Sequence, residues 1–502
     1  MPWLTITIFL PLVGVPFLLA ARGLPDRLSR LLGLAVTIAT FGASLGILAA
    51  FEAGAPGFQL VESATWVPAL HLRYEVGVDG ISLFLVLLTA FLMPLAILAS
   101  WRIERNVRLF MAAMLILETA VLGSFLAIDL LLFFLFFEAL LFPMYLIIGG
   151  WGYERRIYAA VKFFLFTMAG SALLFVGILF LFSRSGGLPG GPTFDLLRLQ
   201  DVQLSATAGR WLFLAFFIAF AVKVPLFPLH TWLPDAHTEA PTAGSVLLAG
   251  VLLKVGAYGL IRFNLSLFPE ASAYFADVVS ILAVIGIIYG SVVALMQSDL
   301  KRLVAYSSVA HLGFVVLGIF AFTDQGASGG VLQMVNHGLS TGGLFLIVGM
   351  LYERTHTREL AELGGLARTM PWLAGTFLVM VLSSIGLPGL NNFVGEFLVI
   401  LGTLISNRAF GVLASAGVVL SAVYLLWSYQ RAMLGEPPER HRGYRDVSIR
   451  EVAILAPVLA LLLVFGLQPN LLLERINPST TAVVEHVRVT EDSTVAAGEA
   501  AP

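Results

Sequence analysis

The sequence predicts an all-α integral membrane protein of about fourteen transmembrane helices, with two inverted five-helix repeats and breaks in its seventh and twelfth helices. Three observations predict it. The chain is 59% hydrophobic and only 12% charged over 502 residues, where soluble domains carry about 25% charged residues, and its mean hydropathy is +0.93. Apolar runs long enough to cross a hydrocarbon core of ~30 Å, about 20 residues each, recur from end to end. These runs are continuous and rich in Leu, Ala, Phe and Gly, without the alternation of a spanning barrel, so helices must satisfy the backbone in lipid.

The runs fall at 3–21, 31–51, 79–100, 108–127, 130–150, 162–183, 211–228, 243–262, 273–295, 301–322, 328–352, 372–404, 409–433 and 451–471. The first lacks a basic leading region and a clear cleavage site, so it reads as a retained helix and not as a signal peptide. With fourteen spans, the loops after odd-numbered helices hold nineteen Lys and Arg residues, Arg22 and Lys301 among them. The opposite loops and tail hold eight, and Lys223 and Lys254 complete the 29. The positive-inside rule then places the odd loops in the cytoplasm and both termini outside. The chain has no cysteine, which excludes thiolate-held iron–sulfur clusters and disulfides and assigns any redox chemistry to other chains.

Polar linkers are short except at 52–78, 183–210, 353–371 and 434–450, and the tail after about 476 reads as disordered. No soluble catalytic domain remains. The expected organisation is an N-terminal pair of helices with an outer loop at 1–78 and a core at 79–433, its repeats near 108–262 and 273–433. A cytoplasmic loop and last helix follow at 434–475, then a polar tail at 476–502. The repeat rests on "AIDLLLFFLFFEALLFP", from Ala127, and "QSDLKRLVAYSSVAHLG", from Gln297, in which Asp129 and Asp299 would each cap a helix start. The interval spans five helices, an odd number, so the second copy is inverted, as in transporters whose sites sit on discontinuous helices at the midplane.

Both predicted breaks have a local cause. Pro225 and Pro228 remove backbone donors and clash with the preceding turn, freeing carbonyls around Phe220 to Leu226 for water. The run 372–404 would be about 50 Å long as one straight helix, and "SSIGLPGLNNFVGEF" at 383–397 interrupts it with Gly386, Pro388, Gly389, Asn391 and Asn392. Irregular backbone at that depth is tolerated only inside protein or beside a water-filled cavity.

Glu138, Lys223, Lys254 and Glu396 lie within apolar spans. Each costs roughly 2.5–3.5 kcal/mol at a helix centre unless paired or hydrated. They read either as structural ion pairs joining helices or as proton carriers, and the broken helices beside Lys223 and Glu396 favour carriers. His311 and His337, at middle depth, suit proton relay; a hydrogen-bonded core pair or a pair of haem ligands are the other readings. Glu118 fits an interhelical hydrogen bond as well as a function. Asp79, Asp235, His237 and Glu239 read first as caps, with His237 and Glu239 as weaker candidates for a proton entrance.

The stretches "KVPLFPLHTWLPDAHTEAPTAGSVLLAGVLLKVGAYGLIRF" (223–263), "SDLKRLVAYSSVAHLGF" (298–314) and "GLPGLNNFVGEF" (386–397) resemble the antiporter-like membrane subunits of respiratory complex I, most closely the subunit M or chain 4 group. The likeness runs from about 79 to 433. It implies a proton-translocating, non-redox subunit in the membrane arm of NADH:quinone oxidoreductase, in a bacterial inner membrane beside sister antiporter-like subunits. FMN, iron–sulfur clusters and quinone are then expected on other subunits, with no cofactor, metal or nucleic acid on this chain. The resemblance assigns Glu138 and Lys223 as a pair, Lys254 as the central lysine, His311 and His337 as relay groups and Glu396 as the terminal carboxylate. An Mrp-type cation/proton antiporter, or the membrane subunit of a related hydrogenase- or ferredoxin-linked complex, is the alternative, and a passive scaffold held together by these charges is a third.

Overall fold

The computed structural model describes residues 1–20 and 23–499, the last nine as backbone only; Arg22, counted above among the loop charges, lies outside them. Over the described residues, each predicted run falls mainly on helix. The chain begins with α1 (Trp3–Ala20) and α2 (Asp26–Ala50), then an antiparallel hairpin of β1 (Gln59–Val67) and β2 (Leu72–Val78). There follow α3 (Leu83–Ala99), α4 (Val107–Leu126), α5 (Leu130–Ala139), α6 (Leu141–Trp151), α7 (Arg156–Ser185), α8 (Leu196–Leu199), α9 (Ala206–Lys223) and α10 (Trp232–Glu239). Next come α11 (Thr242–Leu247), α12 (Leu253–Gly259), α13 (Leu265–Leu267), α14 (Pro269–Leu295), α15 (Leu300–Ile319) and α16 (Asp324–Thr355). The chain closes with α17 (Leu366–Thr369), α18 (Pro371–Ser384), α19 (Asn391–Ser406), α20 (Arg408–Met433), α21 (Ile449–Leu467) and α22 (Asn470–Glu499).

Among the described residues, twelve helices are long and apolar enough to cross a membrane, α5 with α6 and α11 through α13 each counting as one. The expected third span is the shorter α3, and the twelfth is split into α18 and α19. The segments α11 through α13 and α16 are wholly buried over their apolar windows, so the helices that carry Lys254 and His337 are screened from lipid by the rest. Two π-helical turns, Leu248–Leu252 and Leu260–Asn264, link α11, α12 and α13; such turns leave carbonyls without their usual partners and recur at functional sites.

Asp129 and Asp299 cap α5 and α15, accepting from Leu132 at 2.9 Å and from Lys301 and Arg302 at 2.7 and 3.0 Å. Each also sits in an isolated antiparallel bridge, to Asp195 and Glu359.

Three expectations fail. The loop 52–78 holds a hairpin, since its alternating residues pair across two strands where an average of hydropathy reads only polarity. The tail is helical, not disordered: α22 lays Ile476, Thr480, Val484 and Val487 inward at helical spacing, buried against α14 and α16. Lys301, counted with the loop charges, is 3% exposed, in the first turn of α15.

Candidate functional site

Lys223 is the last residue of α9, where Pro225 and Pro228 stop the helix. The side chain is 2% exposed and its Nζ has no hydrogen-bond partner. It stands over the ring faces of Phe137 at 4.5 Å and Phe163 at 6.0 Å, where the quadrupole of each ring attracts a cation. Glu138, the next residue after Phe137, is the carboxylate whose charge acts on it, but the two make no ion pair within 4 Å. One Glu138 oxygen is also buried without a partner. The expectation that the break leaves carbonyls open to water is corrected at Val222: its oxygen accepts from Trp232 Nε1 at 2.8 Å, because a buried carbonyl is costly to leave unpaired.

The second group is two hydrogen-bonded halves that meet at a pair of histidine rings. Lys254, fully buried in α12, donates to the Ala249 carbonyl that the first π turn exposes, and meets His337 Nδ1 on α16 at 2.7 Å. The His337 and His311 rings are 5.7 Å apart between centroids, and both Nε2 atoms lack a partner. His311 Nδ1, on α15, lies 2.9 Å from Glu396 Oε1 on α19, which also accepts from Gln333 Nε2 at 3.0 Å. An ammonium that donates to His337 Nδ1 leaves the ring proton on Nε2, where no partner holds it.

The break between α18 and α19 positions Glu396. Asn336 Nδ2 donates to the Asn391 carbonyl at 2.7 Å, and Asn391 Nδ2 donates to the Asn336 carbonyl at 3.1 Å. This reciprocal clip ties the start of α19 to the α16 turn that bears His337. Gly386 adopts φ 75°, and a Cβ there would stand 3.0 Å from Glu396 Oε2, so glycine serves both the turn and the carboxylate.

At the arginine-rich end, Asp235 pairs with Lys162 at 2.7 Å, and Glu239 Oε2 accepts from the Arg155 amide at 2.8 Å. Arg358 holds Asp299 at 3.1 Å, and Lys301 Nζ donates to the Ala240 carbonyl at 2.5 Å over the ring of Tyr153. Burial pushes the Tyr153 phenol up to about 12, so this ring meets Lys301 and Arg358 as a neutral face. Glu239 and Arg358 line an open cavity of about 510 Å³. His237 is fully buried, stacked 4.7 Å from Phe345, and neither ring nitrogen has a partner. Asp79 lies at the hairpin end, apart from all of these. Glu118 is fully buried with both oxygens unpartnered, and nothing in the structure explains it.

The structure thus gathers Lys254, His337, His311 and Glu396 into one file and sets Glu138 and Lys223 beside it as a separate pair. Sequence reasoning missed Gln333, Asn336 and Lys301. The first two were findable, because Gln333, Asn336, His337 and Ser340 recur at helical spacing along one face of an otherwise apolar run.

A family model described as NADH:quinone oxidoreductase/Mrp antiporter, TM, matches residues 127–422, and one for NADH-ubiquinone oxidoreductase chain 4, amino terminus, matches 45–128. The NADH-quinone oxidoreductase subunit M of Rhodobacter capsulatus is 46% identical over 495 residues, 96% of each chain. NADH-ubiquinone oxidoreductase chain 4 of Marchantia polymorpha is 42% identical over 482 residues, 95% of this chain and 96% of that one. The likeness therefore reaches well beyond residues 79–433. A chain of respiratory complex I from Thermus thermophilus superposes with a TM-score of 0.88 at 35% identity, covering 96% of this chain and 99% of that one. A chain of the Mrp complex from a Dietzia species gives 0.84 at 20% identity, covering 97% and 99%, a likeness of fold alone. The chain belongs to the family of transmembrane subunits shared by NADH:quinone oxidoreductase and the Mrp antiporter.

Proposed function

We propose that this chain is a proton-translocating subunit of the membrane arm of NADH:quinone oxidoreductase, driven by electron transfer in other subunits. The observation that carries the mechanism is the file Lys254–His337–His311–Glu396, closed by hydrogen bonds at both ends and unsatisfied in the middle. A purely structural ion pair needs no such central gap, and a scaffold needs no π turn to present a carbonyl to an ammonium. In the proposed cycle, Lys223 gives up or takes a proton as the charge of Glu138 changes. Lys254 receives it across the contact of α9 with α12, and the two histidines pass it to Glu396 for release.

The charge bias of the loops supports an arginine-rich end in the cytoplasm with both termini outside, and the likeness to bacterial subunits supports a bacterial inner membrane. FMN, iron–sulfur clusters and quinone belong to other subunits, with sister antiporter-like subunits as neighbours. The paired aspartate caps and their bridges support two inverted repeats within the 79–433 core of a chain of about fourteen spans.

The test is Lys223→Ala in the assembled complex. The expected outcome is normal assembly with NADH-driven proton uptake lost in inverted vesicles. Reduced assembly with normal pumping by what assembles would favour the scaffold. Sodium-driven flux by this chain without a redox partner would favour an Mrp-type antiporter.

A further inference from the structure

A buried ion pair stands at the hairpin end, outside the file. Arg262 Nη2 lies 2.6 Å from Asp79 Oδ1, and both side chains are nearly inaccessible, at 6% and 3%. Asp79 occupies the turn before α3, where the same oxygen accepts from the Ile81 and Ser82 amides at 3.1 and 3.0 Å. Arg262 projects from the second π turn, and its Nε donates to the Tyr258 hydroxyl at 3.2 Å. Its guanidinium also covers the rings of Phe58 at 4.6 Å and Tyr258 at 5.2 Å. Above the pair an open cavity of about 300 Å³ is walled by Asp79, Arg262, Gln200, Ser266 and His486.

Below it, Tyr258 lies one helical turn past Lys254 on α12 and is fully buried; residues four apart on a helix are side-by-side neighbours. Tyr258 is thus bracketed by an ammonium that can lose its proton and a guanidinium that cannot. Lys254 reaches back to Ala249 and His337, toward the other end of the helix.

We propose that Tyr258, Asp79 and Arg262 form a second proton outlet from Lys254, latched shut by the Asp79–Arg262 pair and opening through this cavity. The proposal rests on the proton-translocating reading above, but routes protons away from Glu396. Latched, the port is blocked twice: Lys254 faces the file, and a fixed positive charge stands where an emerging proton would pass, the same electrostatic barrier that arginines set in channels. Unlatched, Arg262 swings into the cavity and Lys254 turns from His337 toward Tyr258. Lys254 then donates its proton to the Tyr258 oxygen, Tyr258 gives its own hydroxyl proton to the Asp79 carboxylate, and Asp79 releases it to cavity water. Lysine ends neutral, tyrosine is unchanged and the carboxylate is restored.

The terminal helix ties this latch to the relay. The Gly80 amide donates to Ser479 Oγ on α22 at 3.0 Å, and a Cβ on Gly80 would meet the Arg475 carbonyl oxygen at 1.8 Å. One residue past Ser479, Thr480 bonds Ser328 on α16 at 2.7 Å. Because α16 carries Gln333, Asn336 and His337, a shift of that helix reaches the Asp79 turn through α22.

The test uses proteoliposomes holding the whole complex with Arg262→Met, which keeps the bulk and removes the charge. The expected result is a several-fold faster decay of an imposed pH gradient with no electron donor present. NADH oxidation should continue with reduced proton uptake, and adding Tyr258→Phe should suppress the leak. Arg262→Gln, which removes the charge and keeps hydrogen-bonding groups, should leak in the same way and serves if Arg262→Met fails to assemble, whereas adding Asp79→Asn to either removes the carboxylate that takes the proton and should suppress the leak. Vesicles of the assembled variants as tight as the parent overturn the port, as does a leak that Tyr258→Phe leaves unchanged. Lys254→Ala measured in parallel separates the two readings: pumping lost there with tight Arg262→Met vesicles overturns the port alone, whereas pumping retained overturns the translocation reading itself.

Discussion

Lys223 and Lys254 are ammonium groups buried on adjoining helices, yet they are held in opposite ways. Lys223 has no hydrogen bond and lies over two phenylalanine faces, within the influence of a carboxylate it does not touch. Lys254 is fixed at both reach and angle by a carbonyl and an imidazole. The aromatic site is therefore sensitive to distant charge and tolerant of geometry, and the bonded site is the reverse. A pump needs both, because a site that responds to a remote event cannot also be locked into a wire.

The largest expected effect is at the wire. Lys254→Ala removes the one group that joins π turn to histidine, and proton uptake driven by NADH should fall to the level of uncoupled vesicles while the complex still assembles. Pumping at even half the parent rate would mean that protons bypass this lysine, and the contrast between the two sites would lose its meaning.

The next effect compares the two carboxylates directly. Shortening by one methylene withdraws a carboxylate by about 1.5 Å, a C–C bond length. In Glu396→Asp this breaks the 2.9 and 3.0 Å bonds to His311 and Gln333, and hydrogen bonds to charged groups are worth about 1.5–3 kcal/mol each. Pumping should slow about tenfold or more, since 1.4 kcal/mol is a factor of ten. Glu138→Asp breaks no bond of Glu138 to Lys223 and should keep most of the activity. Initial rates of acidification in inverted vesicles would read both, and equal losses would break the comparison.

A smaller effect belongs to the seam between the sites. A Cβ on Gly256 would stand 2.8 Å from Lys223 Cβ, the Phe220 carbonyl oxygen and the Val224 amide. Two of these are backbone atoms that cannot rotate away, so Gly256→Ala must push α12 from the end of α9. Overpacking of this kind costs about 1–3 kcal/mol. The thermal midpoint of the complex should drop, and pumping should fall more than NADH oxidation, because the two lysines move apart. A lower midpoint with unchanged coupling would show that transfer between them does not depend on this contact.

How far these features could be read from the chain differs by their physical origin. The helices were legible because burial in lipid leaves a long apolar signature, and the breaks at Pro225 and Gly386 because those residues have fixed backbone demands. Glu138, Lys223, Lys254, His311, His337 and Glu396 stood out because a charge or imidazole inside an apolar run is costly. What the sequence concealed was pairing. Nothing in the chain says that His337 meets Lys254 while His311 meets Glu396, since tertiary packing decides which faces meet. The π turn that presents Ala249 leaves no compositional trace. Trp232 was unread for a related reason: an indole ten residues away satisfies the Val222 carbonyl, where sequence alone suggested water.

The smallest expected effect probes the aromatic site itself. Phe137→Leu keeps an apolar side chain of similar reach beside Lys223 but removes the ring face 4.5 Å from its Nζ. A desolvated cation–π contact contributes about 2 kcal/mol and an exposed one about 0.5–1; at 2% exposure the upper figure applies to Lys223. Because Phe163 stands 6.0 Å away, part of that attraction survives, and assembly should be unaffected. What should change is the balance between Glu138 and the ring as partners: with the ring gone the carboxylate is the main attraction left, so Phe137→Leu should make pumping more sensitive to Glu138→Gln. A double-mutant cycle on proton uptake would measure this as a coupling between Phe137 and Glu138, whereas strict additivity would show that the ring only fills space.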